Sequence, residues 1–284
     1  MQSTHVSFPD GSLRGEGEVL IADRDASVLI VDATPFHPVD HTWPDQPGDA
    51  GAILAGDERL EVTEAVMAAV SDDGALAVGT DIPVKRGAEG WTWLVGHRIG
   101  GGIPEGISAG DAVALEVDGA RRSALSRGHT ACHLASLALD AALAGLWRKE
   151  IAVDPLGNPD FEGRANQTSR IHPDGAVDEY RLGKSLRKAG FDSAGFAESQ
   201  AECEARINEL LAGWVASGAP SRIVTEGPAI VDRRRWECDL PEGQVSFPCG
   251  GTHVSSLSEF ASITVSLDLR DPQLLVMTTT VVPV

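Results

Sequence analysis

The first 120 residues are interrupted so often by Gly, Pro and Asp that little room is left for long helices. What lies between the breakers is a series of short β-branched or alternating runs: Glu18–Ala22, Ser27–Asp32, Ala50–Leu54, Ala75–Val78, Trp91–Val95 and Ala112–Val117. Each reads as a strand. Turn signals fall about every ten to fifteen residues, a spacing that predicts a small antiparallel β-barrel or sandwich. Only Glu61 to Val70 has a helical pattern in this part of the chain.

The character changes near Arg121. Thr130 to Trp147 is rich in Ala and Leu, with Gly145 as its one breaker, and predicts a buried helix. Residues 151–176 carry Pro155, Gly157, Pro159, Gly163, Pro173 and Gly175 and read as loop. A second, amphipathic helix is predicted from Glu198 to Ala216, ending before Gly218 and Pro220. Strands are predicted at Arg222–Thr225, Ala229–Val231, Ser262–Leu267 and Leu274–Val282. Strands and helices that segregate rather than alternate define an α+β chain. The predicted organisation is a β-barrel domain over 1–120 and an α+β domain over 121–284.

Several classes are excluded by composition. Apolar residues make up 42% of the 284, so a core can form without covalent staples. Cys132, Cys203, Cys238 and Cys249 are sparse and irregularly spaced, which predicts reduced thiols. The polar stretch Met1 to Asp10 carries no signal-peptide pattern, and no apolar run is long enough for a membrane span. A cytoplasmic protein with no membrane partner is the expectation. The formal charge of -19 opposes DNA binding and casual RNA contact, because phosphate binding needs Lys and Arg. Residues 1–120 hold 6 Lys+Arg against 21 Asp+Glu, so basic clusters are sought in the remainder. Candidates are Arg121-Arg122, Arg148-Lys149, Arg181 to Lys188 and Arg233-Arg234-Arg235, with solvated surface charge as the alternative reading.

Two pairs of residues carry metal chemistry. His129 and His133 are four apart in the Ala/Leu segment, so on a helix both imidazoles share one face. Cys249-Gly-Gly-Thr-His253 supplies a thiol and a third imidazole, and its two glycines predict a tight turn. Imidazole and thiolate donors suit Zn²⁺ better than Mg²⁺ or Ca²⁺. Cys132 lies between the two histidines on another helix face and reads as core. His37 and His41 read as polar surface residues, with a place lining the site as the alternative, His5, His97 and His172 have no partner nearby in sequence, and Trp91, Trp93 and Trp147 read as core.

Four segments resemble the alanyl-tRNA editing family, which comprises the editing domain of alanyl-tRNA synthetase and freestanding AlaX-type trans-editing proteins. Arg127-Gly-His-Thr-Ala-Cys-His-Leu134 resembles the family's His-x-x-x-His helix, and Pro248-Cys-Gly-Gly-Thr-His-Val254 its second zinc motif. Val31-Asp-Ala-Thr-Pro-Phe-His-Pro38 with Asp45-Gln-Pro-Gly-Asp-Ala-Gly51 resembles its barrel loop. Gly110 to Asp118, with Arg121-Arg122, resembles the strand leading into the first motif. The chain departs from the family at Val39-Asp-His-Thr-Trp-Pro-Asp-Gln46, which is longer and lacks a Gly-Gly-Gln core, and at the long segment Ile151 to Ser199.

The resemblance implies a zinc-dependent hydrolase that cleaves the ester between a small, serine-like amino acid and the 3′ end of a mischarged tRNA. His129, His133, Cys249 and His253 would be the zinc ligands, and Thr34 and Gln46 the residues that recognise the substrate. The altered loop leaves open a threonine-like or non-protein amino acid, such as a halogenated analogue. A non-catalytic zinc module is the third reading, favoured by the acidic charge, which opposes tRNA binding. Four protein ligands would close a catalytic site unless one is loose, His253 by preference, or the ion becomes five-coordinate with substrate. No Asp or Glu stands at a spacing that marks a general base.

Overall fold

The segment Glu58–Ser71, whose Ala-rich second half has a helical pattern in sequence, is a 14-residue strand and the longest of the fold. Leu60 and Val62 are buried while Arg59, Glu61 and Thr63 between them are exposed, the period-two alternation of a half-covered strand. From Ala65 to Ala69 every residue is buried, so the sheet is covered on both faces there, and small apolar side chains suit that crowding. Packing on both faces overrides the local helical tendency.

The computed structural model describes residues 1–284. Two compact units divide the chain: Met1–Ser123 with Ile223–Arg235 and Pro248–Thr252, and Ala124–Arg222 with Trp236–Phe247 and His253–Val284. The first unit contains strands β1 (His5–Val6), β2 (Arg14–Asp23), β3 (Val28–Val31), β4 (Ala33–Thr34), β5 (Gly51–Ala55), β6 (Glu58–Ser71), β7 (Leu76–Val78), β8 (Trp91–Gly100) and β9 (Ala112–Val117). Seven of them form one sheet in the order β5-β9-β2-β3-β8-β6-β7, and β5 also pairs with β6. All of these pairings are antiparallel. The main core of the unit is built from inward residues of this sheet, among them Leu29, Phe36, Ile53, Met67 and Trp93.

A buried ion pair fixes the loop between β4 and β5. Asp49 and Arg122 are 1% and 5% exposed, and the Arg122 Nε donates to Asp49 Oδ1 at 2.8 Å. Arg122 Nη2 also donates to the Pro35 carbonyl at 2.8 Å, and Asp49 Oδ2 accepts the His37 N–H. Arg122 is therefore an internal tie and not a nucleic-acid contact.

Helix α1 (Gly119–Leu143) starts eleven residues earlier than its Ala/Leu content predicts. The signal is Asp118, whose Oδ1 accepts the Arg121 N–H and so caps the first turn. In the second unit the predicted loop at 151–176 contains regular structure: α2 (Glu162–Ala165), β10 (Asn166–His172) and the start of β11 (Gly175–Arg181). The turn at Pro173 to Gly175 joins two strands, so these breakers mark a hairpin and not a long loop. Helix α3 (Lys184–Ala189) precedes α4 (Ser193–Ser217), which Asp192 caps by accepting the Gly195 N–H. Gly218 ends α4 at φ 60° in the left-handed region.

Strands β12 (Ser221–Thr225), β13 (Arg234–Leu240) and β14 (Gly243–Pro248) form a three-stranded sheet. The predicted strand at Ala229–Val231 is absent, being a turn with one bridge from Ala229 to His5. Strands β15 (Phe260–Asp271) and β16 (Leu274–Pro283) complete a four-stranded antiparallel sheet in the order β10-β11-β16-β15. Its edge strand β15 is covered by α4. Asn208 donates to the Val265 carbonyl at 2.9 Å and accepts the Val265 N–H at 2.7 Å, and Gln200 donates to the Leu267 carbonyl. Side-chain amides thus occupy edge groups that would otherwise template aggregation. The chain is α+β with mostly antiparallel sheets. No helix is long and apolar enough to cross a membrane.

Asp140 on α1 is 2% exposed and accepts the N–H groups of Phe161 and Glu162 at 2.9 Å. Burial, with the nearby charge of Glu162, pushes its carboxyl up to about 8, and burial also raises Glu162. A carboxyl raised in the folded state holds a proton that the unfolded chain releases near pH 4. The folded state therefore binds more protons between pH 4 and 8, and stability falls as pH rises through that window. Each such group changes stability by up to about 1.4 kcal/mol per pH unit. Urea midpoints should drop from pH 5.5 to 8.5, and Asp140→Asn, which keeps an acceptor oxygen, should flatten the decline. An unchanged slope in that variant contradicts the assignment.

Candidate metal centre

The centre starts from helix α1. Its register is set where Gly128 meets the β10–β11 hairpin: a Cβ there would lie 2.5 Å from the His172 carbonyl oxygen and 2.6 Å from that of Gly175. Only glycine permits this approach. Arg127 forms an ion pair with Asp174 of the same hairpin. The next residue is His129, 2% exposed, and His133 follows one turn later. Their rings are 4.9 Å apart between centroids.

His253 completes the imidazole cluster, 4.5 Å from His129 and 5.2 Å from His133 between ring centroids. Its Nδ1 lies 3.1 Å from Thr130 Oγ1, and that hydroxyl oxygen accepts the Val254 N–H at 3.2 Å. Thr130 thus fixes the ring and leaves Nε2 for a ligand. Trp236 and Phe247 stack on His133 at 5.2 and 5.4 Å with interplanar angles of 17° and 7°, and Trp236 also stacks on His253. Neither aromatic was singled out from sequence. The one available signal was the alternating pattern of β13 and β14, which sequence reading left unassigned.

Cys249 stands four residues before His253 on an irregular loop, in agreement with the turn predicted from its glycines. One atom from each of His129, His133, Cys249 and His253 can serve as a ligand, and these four atoms lie within 4.8 Å of one another. Three imidazoles and one thiol are the donor chemistry of a zinc or similar soft-to-borderline site. Burial, with the Asp45 charge, pushes the Cys249 thiol up to about 12, against the pull of the Gly251 N–H, Arg234 and Arg86. Such a thiol has to lose its proton to bind a metal.

Gln46 is buried, 1% exposed, and clamps the loop between the two ligands. Its Nε2 donates to Thr252 Oγ1 at 2.9 Å and its Oε1 accepts the Thr252 N–H at 3.0 Å. Thr34 is likewise buried. His97 donates from Nδ1 to the Leu29 carbonyl at 3.0 Å, which leaves Nε2 as an acceptor 2.9 Å from Thr34 Oγ1. Burial lowers His97 to about 4, so the ring is neutral and the Thr34 hydroxyl donates to it. Thr34 Oγ1 also accepts the Phe36 N–H at 3.2 Å, leaving one lone pair uncommitted.

The surface reading of His37 and His41 needs correction, while that of Cys132 and Trp93 as core stands. His37 is 5% exposed, edge-on to Phe8, and burial followed by the Arg122 and Arg234 charges lowers it to about 3. The His41 side chain is buried too, with Nε2 2.9 Å from the Val84 carbonyl. The polar text of this loop concealed its burial. Cys132 is core, its sulfur 3.5 Å from an Asp178 oxygen. Trp93 is buried in the core of the first unit, with Trp91 packed against it.

The chain is 27% identical to the alanine–tRNA ligase of Ruegeria pomeroyi and 31% identical to that of Neisseria gonorrhoeae, over 84% and 85% of its own length. These alignments cover 24% and 22% of the ligases, so the chain spans about a quarter of their length. It is 27% identical to the alanyl-tRNA editing protein AlaX-M of Pyrococcus horikoshii, over 90% of this chain and 87% of that protein. No family model matches. The similarity is to proteins of aminoacyl-tRNA synthesis and editing. Within that class the chain resembles the alanyl-tRNA editing family, AlaX-M being the relative it matches over nearly its whole length.

The geometry separates ligands from supports. Competition titrations against a chromogenic chelator should show one metal ion per chain. Cys249→Ser should abolish thiolate-to-metal charge transfer in the Co²⁺ form and weaken affinity at least ~100-fold, whereas Gln46→Leu should weaken it about tenfold. Equal affinities for all three proteins would exclude a metal role for the cluster.

Proposed function

We propose that the protein is a zinc-dependent deacylase that hydrolyses the ester of a small hydroxyl amino acid, serine above all, mischarged on tRNA. The carrying observation is the convergence of four donor atoms from His129, His133, Cys249 and His253. It is supported by the relative named as an alanyl-tRNA editing protein. The pairing of β5 with both β9 and β6 supports reading the seven-stranded sheet as a small closed barrel, the expected first domain. A cytoplasmic location follows from this reading.

Zinc at this cluster would supply Lewis acidity toward the ester. The remaining work falls to the chain's own groups. Trp236 and Phe247 hold His133 by stacking, Thr130 holds His253, and Gln46 holds the intervening loop through Thr252. Thr34 reads the substrate side chain. Its hydroxyl proton is committed to His97, so Thr34 is an acceptor only and favours a substrate that presents O–H. A substrate without that donor leaves the buried lone pair unpaired, which is the stronger way to discriminate a hydroxyl. A threonine-like or non-protein amino acid is the second reading, favoured by the loop 39–46, which lacks the family's paired glycines.

A panel of aminoacyl-tRNAs tests these assignments. Seryl-tRNA should be deacylated, with loss of activity in chelator and recovery on adding Zn²⁺. Release confined to a threonine analogue selects the second reading, and release from none with metal bound defeats the deacylase proposal. Thr34→Val should reduce the preference for seryl over alanyl ester by about 10- to 100-fold.

A further inference from the structure

Arg86, Arg233, Arg234 and Arg235 line one cavity of about 430 Å³, and Cys249 forms part of its wall. The chain carries a net charge of -19 and only 23 Lys+Arg, so four guanidinium groups on a single cavity are a marked local reversal. Glu226 and Asp232 also line it, so four guanidinium groups face two carboxylates, one of which, Asp232, also accepts the Ala229 N–H at 2.7 Å.

Arg234 gives the second observation. It is 5% exposed, lies over the Phe8 ring at 5.2 Å, and spends its terminal nitrogens on the carbonyls of Ala229 and Ile230. Its Nε is buried with no acceptor. Leaving a charged donor buried and unpaired is costly. Arg233 is exposed and makes no side-chain hydrogen bond or ion pair, and Arg86 pairs only with Asp40 at 3.3 Å. An anionic group entering the cavity would meet the exposed donors of Arg233 and Arg86, with the buried Arg234 charge behind them.

We infer that this cavity binds a phosphodiester, namely the 5′-phosphate of the terminal nucleoside of the aminoacylated tRNA, and positions the ester by it. The inference rests on the deacylase reading. Chemistry joins the two sites: the ester sits on the 2′ or 3′ oxygen of a ribose whose 5′ carbon carries the phosphate. One ribose therefore links the two groups, and Cys249 is common to the metal cluster and the arginine cavity. Guanidinium forks suit phosphate oxygens in pairs.

The test uses the full chain with zinc and compares the 3′-seryl esters of adenosine and of adenosine 5′-monophosphate. The phosphorylated ester should show a KM about tenfold lower with similar kcat. Arg233→Ala should erase that difference without changing hydrolysis of the adenosine ester, and Arg233→Lys should restore part of it, while Arg206→Ala, an exposed remote control, should leave it intact. Persistence of the difference in Arg233→Ala overturns the inference. Should neither ester be cleaved, the deacylase reading fails on its own, and calorimetry with uncharged adenosine 5′-monophosphate against adenosine still decides the cavity. Tighter binding of the nucleotide, lost in Arg233→Ala, supports the inference, and equal binding overturns it. Inorganic phosphate binding as tightly as the nucleotide also overturns it, because the cavity would then serve a free anion.

Discussion

Four donor atoms held within 4.8 Å of one another, three on imidazoles and one on the thiol of half-buried Cys249, set the terms for the rest of the molecule. Without a cation this arrangement crowds lone pairs and desolvates a group whose useful form is anionic. The fold nevertheless enforces it from several directions. Gly128 lets α1 touch the β10–β11 hairpin, which fixes where His129 and His133 emerge. Thr130, one residue after the first ligand, reaches the third imidazole. Trp236 and Phe247 then fill the space against the rings with flat apolar surface, so the imidazoles cannot rotate away without losing packing.

The same economy appears in the first unit, where buried polar residues hold functional loops in place. Asp49 and Arg122 together tie the start of α1 to the carbonyl of Pro35 and the N–H of His37, on either side of Phe36. Gln46 makes two hydrogen bonds to Thr252, between the glycines and His253. Breaking a buried ion pair on one side costs about 3–5 kcal/mol, so these ties are structural as well as functional. Gln46 is tied to the Cys249–His253 loop, donating to Thr252 Oγ1 and accepting the Thr252 N–H, whereas the Thr34 hydroxyl is held by His97 and the Phe36 N–H.

The chemistry was more legible in the sequence than the supports were. A His pair spaced one helical turn apart and a Cys-x-x-x-His turn are local signals, and each survives into the structure because its geometry is set by a few adjacent residues. Strands with clear breakers, such as Ala112–Val117, were equally plain. Three things were not. The run Glu61 to Val70 satisfies a helical period, and only its neighbours β5, β7 and β8 make it a strand. The segment 151–176 hides a hairpin behind Pro and Gly. His37 and His41 look like surface residues beside Asp and Thr, yet both side chains are buried. In each case the deciding interaction comes from residues distant in sequence, to which local pattern is blind.

Charge limits how such a protein can meet RNA. A net of -19 repels a polyanion at range, and at physiological salt that repulsion fades beyond about 8 Å from the surface. Contact with RNA therefore has to be made by short-range, directional groups and not by a broad basic face. The positions of the cations agree: Arg122 is consumed internally, Arg148 pairs with Asp192, and Arg222 pairs with Glu237 and Asp239, whereas Arg233 is unpaired. An unpaired guanidinium on a cavity wall suits recognition of a single phosphate rather than the body of a nucleic acid. Selectivity would then reside in the amino acid and its immediate ribose phosphate, the part of the substrate that an editing reaction has to inspect.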